Sequence, residues 1–120
     1  MNAVRKLTNI EYNPVTTEIL DRINNYKNRI KNEGMVGDTF ILTGISLFED
    51  TIKELNVDSL NNEIVEYIKN IIEQKINQTG RLINRYISYG INYCLAILEG
   101  YNQTLNYKPL TRTKAIIGCY

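Results

Sequence analysis

Tyr86, Tyr89 and Tyr93 recur at three- and four-residue spacing, with Arg85 directly before the first of them. On a helix that spacing gathers the rings along one edge and sets Arg85 beside Tyr89 on the polar side. Aromatic rings next to a guanidinium at a wet edge suit a flat anion, because a ring stacks on a base and a guanidinium forks a phosphate. Lys108, Arg112 and Lys114 follow, with no acid after Glu99, and extend the same anion-binding set. These seven residues form the candidate ligand site, for a nucleotide-like anion. Two plainer readings compete. A Tyr at the rim of a helical core buries its ring and wets its hydroxyl. Tyr with Arg also marks protein–protein interfaces.

Other chemistries are poorly supplied. The chain has no His, so Ser-His-Asp catalysis, Cys-His catalysis and His-based metal sites are excluded. No Cys-x-x-Cys pair and no Asp-x-Asp-x-Asp loop is present, and the acidic pairs Glu49-Asp50 and Glu63/Glu66 lack partner ligands. Gly34-Met35-Val36-Gly37 lacks the Lys-Ser/Thr of a phosphate loop and reads as a helix–helix turn. Cys94 falls amid apolar residues, where a thiol behaves as a small hydrophobe, and Cys119 has no evident base. The carboxylates fall on polar helical faces, and Glu49 with Lys53 reads as a surface pair four residues apart. No catalytic residue, metal or cofactor is therefore assigned, and an enzyme is not expected.

These residues need helices to position them, and the pattern supplies four. Asn13-Pro14 reads as a helix start, a cap followed by Pro at the first helical position. Ile19, Leu20, Ile23, Tyr26 and Ile30 then share one face, and Gly34 ends the helix. Asp38 reads as the next cap, with Ile41, Ile45, Phe48, Ile52 and Leu55 on a heptad-like seam. Phe40 and Leu47 lie off that seam and are candidate interface residues. Asp58 or Ser59 reads as the third cap, before the apolar arc Leu60, Ile64, Tyr67, Ile68, Ile71, Ile72 and Ile76. Gly80 reads as the break before a fourth helix, although one continuous helix through it is a possible alternative. The fourth helix has a wide apolar side, from Leu82 to Tyr101, that includes Tyr86, Tyr89, Tyr93 and Cys94. Gly90 sits in that arc; Gly weakens a helix interior by roughly 0.5–1 kcal/mol relative to Ala, so a close approach there is expected.

The expected fold is all-α: an up-and-down bundle with helices at roughly 14–33, 38–56, 59–77 and 80–105, in one domain of 120 residues. An N-terminal arm over 1–12 and a tail over 106–120 are expected to be extended, because Lys108-Pro109 stops the helix. The tail ends Ala115-Ile116-Ile117-Gly118-Cys119-Tyr120, an apolar hexamer that should dock on the body or on a neighbouring subunit. Ile116 and Ile117 therefore join Phe40, Leu47 and Gly90 as candidate interface residues. The sequence has no internal repeat and no low-complexity linker.

Charge is segregated. Residues 1–32 carry six bases and three acids, 33–74 two bases and nine acids, and 75–120 six bases and one acid, for a net +1. No helix has a dense basic face, so duplex nucleic acid is not an expected partner. Arg5-Lys6 precedes no apolar run, and the charge-free stretch Tyr86–Leu98 is too short to span a bilayer, so a cytoplasmic location with reduced thiols is expected. Ile, Asn, Tyr and Lys make up 51 of the 120 residues, a bias toward AT-rich codons that points to a bacterial or phage genome. The expected function is non-enzymatic: a helical binding protein, homo-oligomeric, acting as inhibitor, adaptor or assembly component. The alternative is a small-ligand protein that holds a nucleotide-like anion at the basic, Tyr-rich C-terminal third.

Overall fold

The structure, a computed structural model, describes residues 11–34, 36–79 and 84–107. They form four helices: α1 (Pro14–Glu33), α2 (Asp38–Leu55), α3 (Asn62–Thr79) and α4 (Arg85–Asn106). The fold is the expected all-α bundle, and no strand occurs among the described residues. Arm residues 1–10, Gly80 and tail residues 108–120 lie outside the described residues.

Asparagine and glycine set the helix ends. Asn61 Oδ1 accepts from the Ile64 N–H at 2.9 Å, and Asn84 Oδ1 from the Ile87 N–H at 2.9 Å. These are cap hydrogen bonds. The third helix thus starts at Asn62 rather than at Asp58 or Ser59, and the fourth at Arg85 rather than at residue 80. Asp38 is the first residue of α2, not its cap. That place belongs to Gly37, whose φ of 77° only Gly adopts at no cost. Gly34 ends α1 at φ 60°, as expected, its N–H donating to the Ile30 carbonyl.

The helices alternate in direction. Lys27 meets Glu49, which sets α1 antiparallel to α2, and Tyr26 stacks on Tyr93 while Arg22 covers Tyr101, which sets α1 antiparallel to α4. α2 and α4 make the most extensive contact; α1 and α3 each touch both and make no close backbone approach to each other. The core runs through Ile19, Ile23, Ile45, Phe48, Ile52, Ile68, Ile72, Cys94 and Leu98, all fully buried or nearly so.

Two glycines let α2 and α4 meet backbone to backbone. A Cβ on Gly90 would strike the Ile41 carbonyl oxygen, and a Cβ on Gly44 would strike the Ile87 carbonyl oxygen. The expected close approach at Gly90 is therefore real, and Gly44 is its partner. The contact is reciprocal, and the two helices share a short pattern at it: Phe40-Ile41-x-x-Gly44-Ile45 on α2 and Tyr86-Ile87-x-x-Gly90-Ile91 on α4. The shared pattern is six positions long, with different residues in its two middle places, Leu42-Thr43 and Ser88-Tyr89.

Asparagine side chains clamp one end of the bundle. The Asn13 N–H donates to Asn56 Oδ1 at 2.9 Å, Asn13 Nδ2 to the Asn56 carbonyl at 2.8 Å, and Thr16 Oγ1 to the Val57 carbonyl at 2.8 Å. Asn13 thus spends its side chain on α2 and makes no cap bond to its own helix. At the same end, Asn102 Nδ2 donates to Asn62 Oδ1 at 2.8 Å and Asn106 Nδ2 to the Leu60 carbonyl at 3.1 Å. These amide hydrogen bonds, with Asn102 buried among them, tie the helix ends together in one register.

Three further expectations change. Glu49 is not a surface partner of Lys53; it is buried, and its carboxylate accepts from Lys27 Nζ across the α1/α2 interface at 2.9 Å. Tyr67 leaves the α3 core face and is exposed, because Val65 takes the buried position. Leu47 packs partly buried against the core, while Phe40 stays about half exposed.

A candidate aromatic groove between α1 and α4

Tyr26 lies on the inner face of α1, three residues past Ile23 and four before Ile30, so its ring is carried into the bundle with them. On α4, Tyr93 is one position before the buried Cys94, which places its ring at the edge of the core rather than within it. The two rings stack with centroids 3.9 Å apart and planes 8° from parallel. Tyr26 is buried and Tyr93 is 45% exposed, so the pair presents one aromatic face to solvent.

That face floors a groove of about 550 Å³ lined by Tyr26, Arg29, Ile30, Ile41, Tyr89 and Tyr93. Glu33, Asn92 and Ala96 complete its rim. Tyr89 is about half exposed, and its ring meets Tyr86 edge to face at 5.9 Å. Tyr86 in turn covers Gly37: a Cβ there would meet the Tyr86 ring carbons at 2.5–2.7 Å. The close turn between α1 and α2 therefore fixes Tyr86, and Tyr86 supports Tyr89.

The electrostatics are mild. Among the described residues that line the groove, Arg29 is the one cation and Glu33 the one anion. Burial raises the Tyr26 hydroxyl above its usual value, with smaller contributions from Cys94 and Tyr93 against a lowering by Arg29. Burial pushes the Cys94 thiol up to about 12, with the Glu49 carboxylate adding to it. Cys94 is fully buried, as its place in the apolar run predicts, and such a thiol is not a nucleophile at neutral pH. Among the described residues no three Cys, Asp or Glu side chains gather into a possible metal site, and no helix is long and apolar enough to cross a membrane.

Comparison with known proteins finds no matching family model, no matching curated protein and no matching solved structure.

Of the seven candidate ligand residues, Tyr89 and Tyr93 line the groove and Tyr86 buttresses it. Arg85 is exposed and lies over Tyr86, 5.8 Å from the ring centroid, outside the groove lining. Lys108, Arg112 and Lys114 lie outside the described residues, as do Ile116 and Ile117. Sequence reasoning missed Tyr26, Arg29 and Glu33. Tyr26 reads as a core residue of α1, and nothing in one helix says which neighbour its ring will face. The i,i+3 spacing of Tyr26 with Arg29, a Tyr-Arg edge like that of α4, is the signal that was present.

Proposed function

We propose that this chain is a non-enzymatic interaction protein whose α1/α4 groove receives an apolar, aromatic-bearing segment of a partner protein. The Tyr26–Tyr93 stack carries this reading: it opens a rigid aromatic face, half covered, in a groove with one positive and one negative group at its rim. Tyr and Arg are enriched among the residues that dominate interface energetics. Val36, Phe40 and Tyr89 are also exposed near the α1/α2 turn, which supports self-association as the setting in which the groove works. Anilinonaphthalene sulfonate, a flat apolar anion, tests the groove. Its fluorescence should rise on the parent, and Tyr93→Ala should weaken binding about twofold to thirteenfold, the worth of an aromatic pair at about 0.5–1.5 kcal/mol. Equal binding by Tyr93→Ala and Tyr89→Ala, with near-ultraviolet dichroism intact, would overturn the reading.

A small-ligand role is the second reading. The groove volume falls in the range of small-molecule sites, and Arg29 stands where a ligand anion would meet it. In that case a nucleoside phosphate should displace the dye, and Arg29→Ala should abolish the displacement. The anion partner is then Arg29, not Arg85.

A further inference from the structure

The thirteen acids of the chain all lie within the described residues, together with only eight bases. The six remaining bases, Arg5, Lys6, Arg81, Lys108, Arg112 and Lys114, lie outside them with no acid among them. The helices therefore form an acidic body, and the segment after Tyr107 is a basic strap leading to an apolar end. The reach of that segment matches the groove. Along α4, Tyr93 lies about 21 Å and Tyr89 about 27 Å back from Tyr107, at about 1.5 Å per residue. An extended chain covers about 3.3 Å per residue, so the nine steps from Tyr107 to Ile116 span about 30 Å. That upper bound leaves enough chain, after a turn, for the sequence around Ile116 and Ile117 to reach Tyr89 and Tyr93.

We propose that the chain's own segment Ala115–Tyr120 occupies the α1/α4 groove and competes there with the partner. This inference rests on the reading of the groove as a binding surface. The apolar hexamer supplies the chemistry the groove asks for: two branched aliphatic side chains for the aromatic floor, Gly118 for close passage of the backbone, and Tyr120 as a third ring. Lys108, Arg112 and Lys114 supply the attraction to the acidic body on the way. Docking in cis has a high effective concentration, since a short tether keeps the segment near its site at about millimolar levels. The groove is then self-covered until a partner outcompetes the strap.

The decisive experiment places a photo-crosslinking benzoylphenylalanine at Ile117 in the full chain. The expected product is an intramolecular link to peptides carrying Tyr26, Tyr89 or Tyr93. Mixing isotopically light and heavy chains separates this from links between two chains, which would overturn occupation in cis in favour of a second copy. Links to residues 1–10, to other surfaces, or no links at all overturn the proposal. Dye binding distinguishes the underlying reading. The double variant Ile116→Asp, Ile117→Asp should bind anilinonaphthalene sulfonate about fivefold more tightly, as expected when an occupant present about four-fifths of the time is removed. If Tyr93→Ala weakens dye binding and the Asp variant leaves it unchanged, the groove is a binding surface and the strap is not its occupant. If neither variant changes it, the groove reading itself falls.

Discussion

Replacing Gly90 with Ala adds one methyl at the tightest point of the bundle. That Cβ would strike the Ile41 carbonyl oxygen, a backbone atom that cannot rotate away, with the Ile41 carbonyl carbon at 3.2 Å and Ile45 N at 3.3 Å. The helices must part by on the order of 1 Å. A gap of about 0.5–1 Å forfeits about a quarter to a half of each dispersion well of about 0.1–0.2 kcal/mol, and the roughly fifty contacts that one buried Leu side chain makes set the scale. The loss is about 3 kcal/mol. The gain in helix propensity returns about 0.5–1 kcal/mol, leaving Gly90→Ala destabilised by about 2 kcal/mol. Gly100 on the same helix is the control. It is exposed, with nothing within 4 Å of a built Cβ, so Gly100→Ala should gain about 0.5–1 kcal/mol. Gly44→Ala should behave like Gly90→Ala, because its Cβ meets the Ile87 carbonyl oxygen. The double variant should cost less than the two singles together, since the first methyl has already opened the space the second enters. Urea denaturation followed by far-ultraviolet dichroism reads all four, as midpoint shifts at constant slope. The reasoning fails if Gly90→Ala is as stable as Gly100→Ala, or if the Gly44 and Gly90 changes are strictly additive.

The Lys27–Glu49 pair should be asymmetric: the Glu49 side chain is 11% exposed and the Lys27 side chain 24%, so Lys27→Met, which strands the more buried charge, should cost about 2–4 kcal/mol and more than Glu49→Gln. Equal losses in the same urea assay would contradict that. Alkaline stability should follow Cys94 and Tyr26. Both pKa values are raised in the fold, so their contribution is complete below the unfolded values of 9.0 and 10.0 and is lost as pH rises, for Cys94 between about pH 9 and 12. Cys94→Ala should flatten that decline; an unchanged decline in thermal midpoints across this window would rule out the thiol as its source.

The helices themselves were legible in the residues. Their existence and their buried faces follow from apolar spacing, a local property of the chain: Ile19, Ile23, Tyr26 and Ile30 on α1 and Ile41, Ile45, Phe48 and Ile52 on α2 are all buried. Gly90 was legible too, because a Gly within an apolar arc weakens the helix and needs a packing reason. What one helix cannot encode is which neighbour it meets. Gly44 gains its meaning only from Ile87, and Glu49 changes from surface partner to buried acceptor only because Lys27 arrives from α1. Helix starts moved by several residues for a similar reason. Asp, Ser and Asn all make caps, and tertiary bonds such as Asn62 to Asn102 decide which of several nearby candidates begins the helix. The groove is the extreme case. Tyr89 and Tyr93 announced a wet aromatic edge on α4, but a groove needs two walls, and the second, with Tyr26, Arg29 and Glu33, comes from a helix some sixty residues earlier in the chain. Local periodicity determined the elements; the antiparallel docking of α1 on α4, set by long-range packing, decided the site.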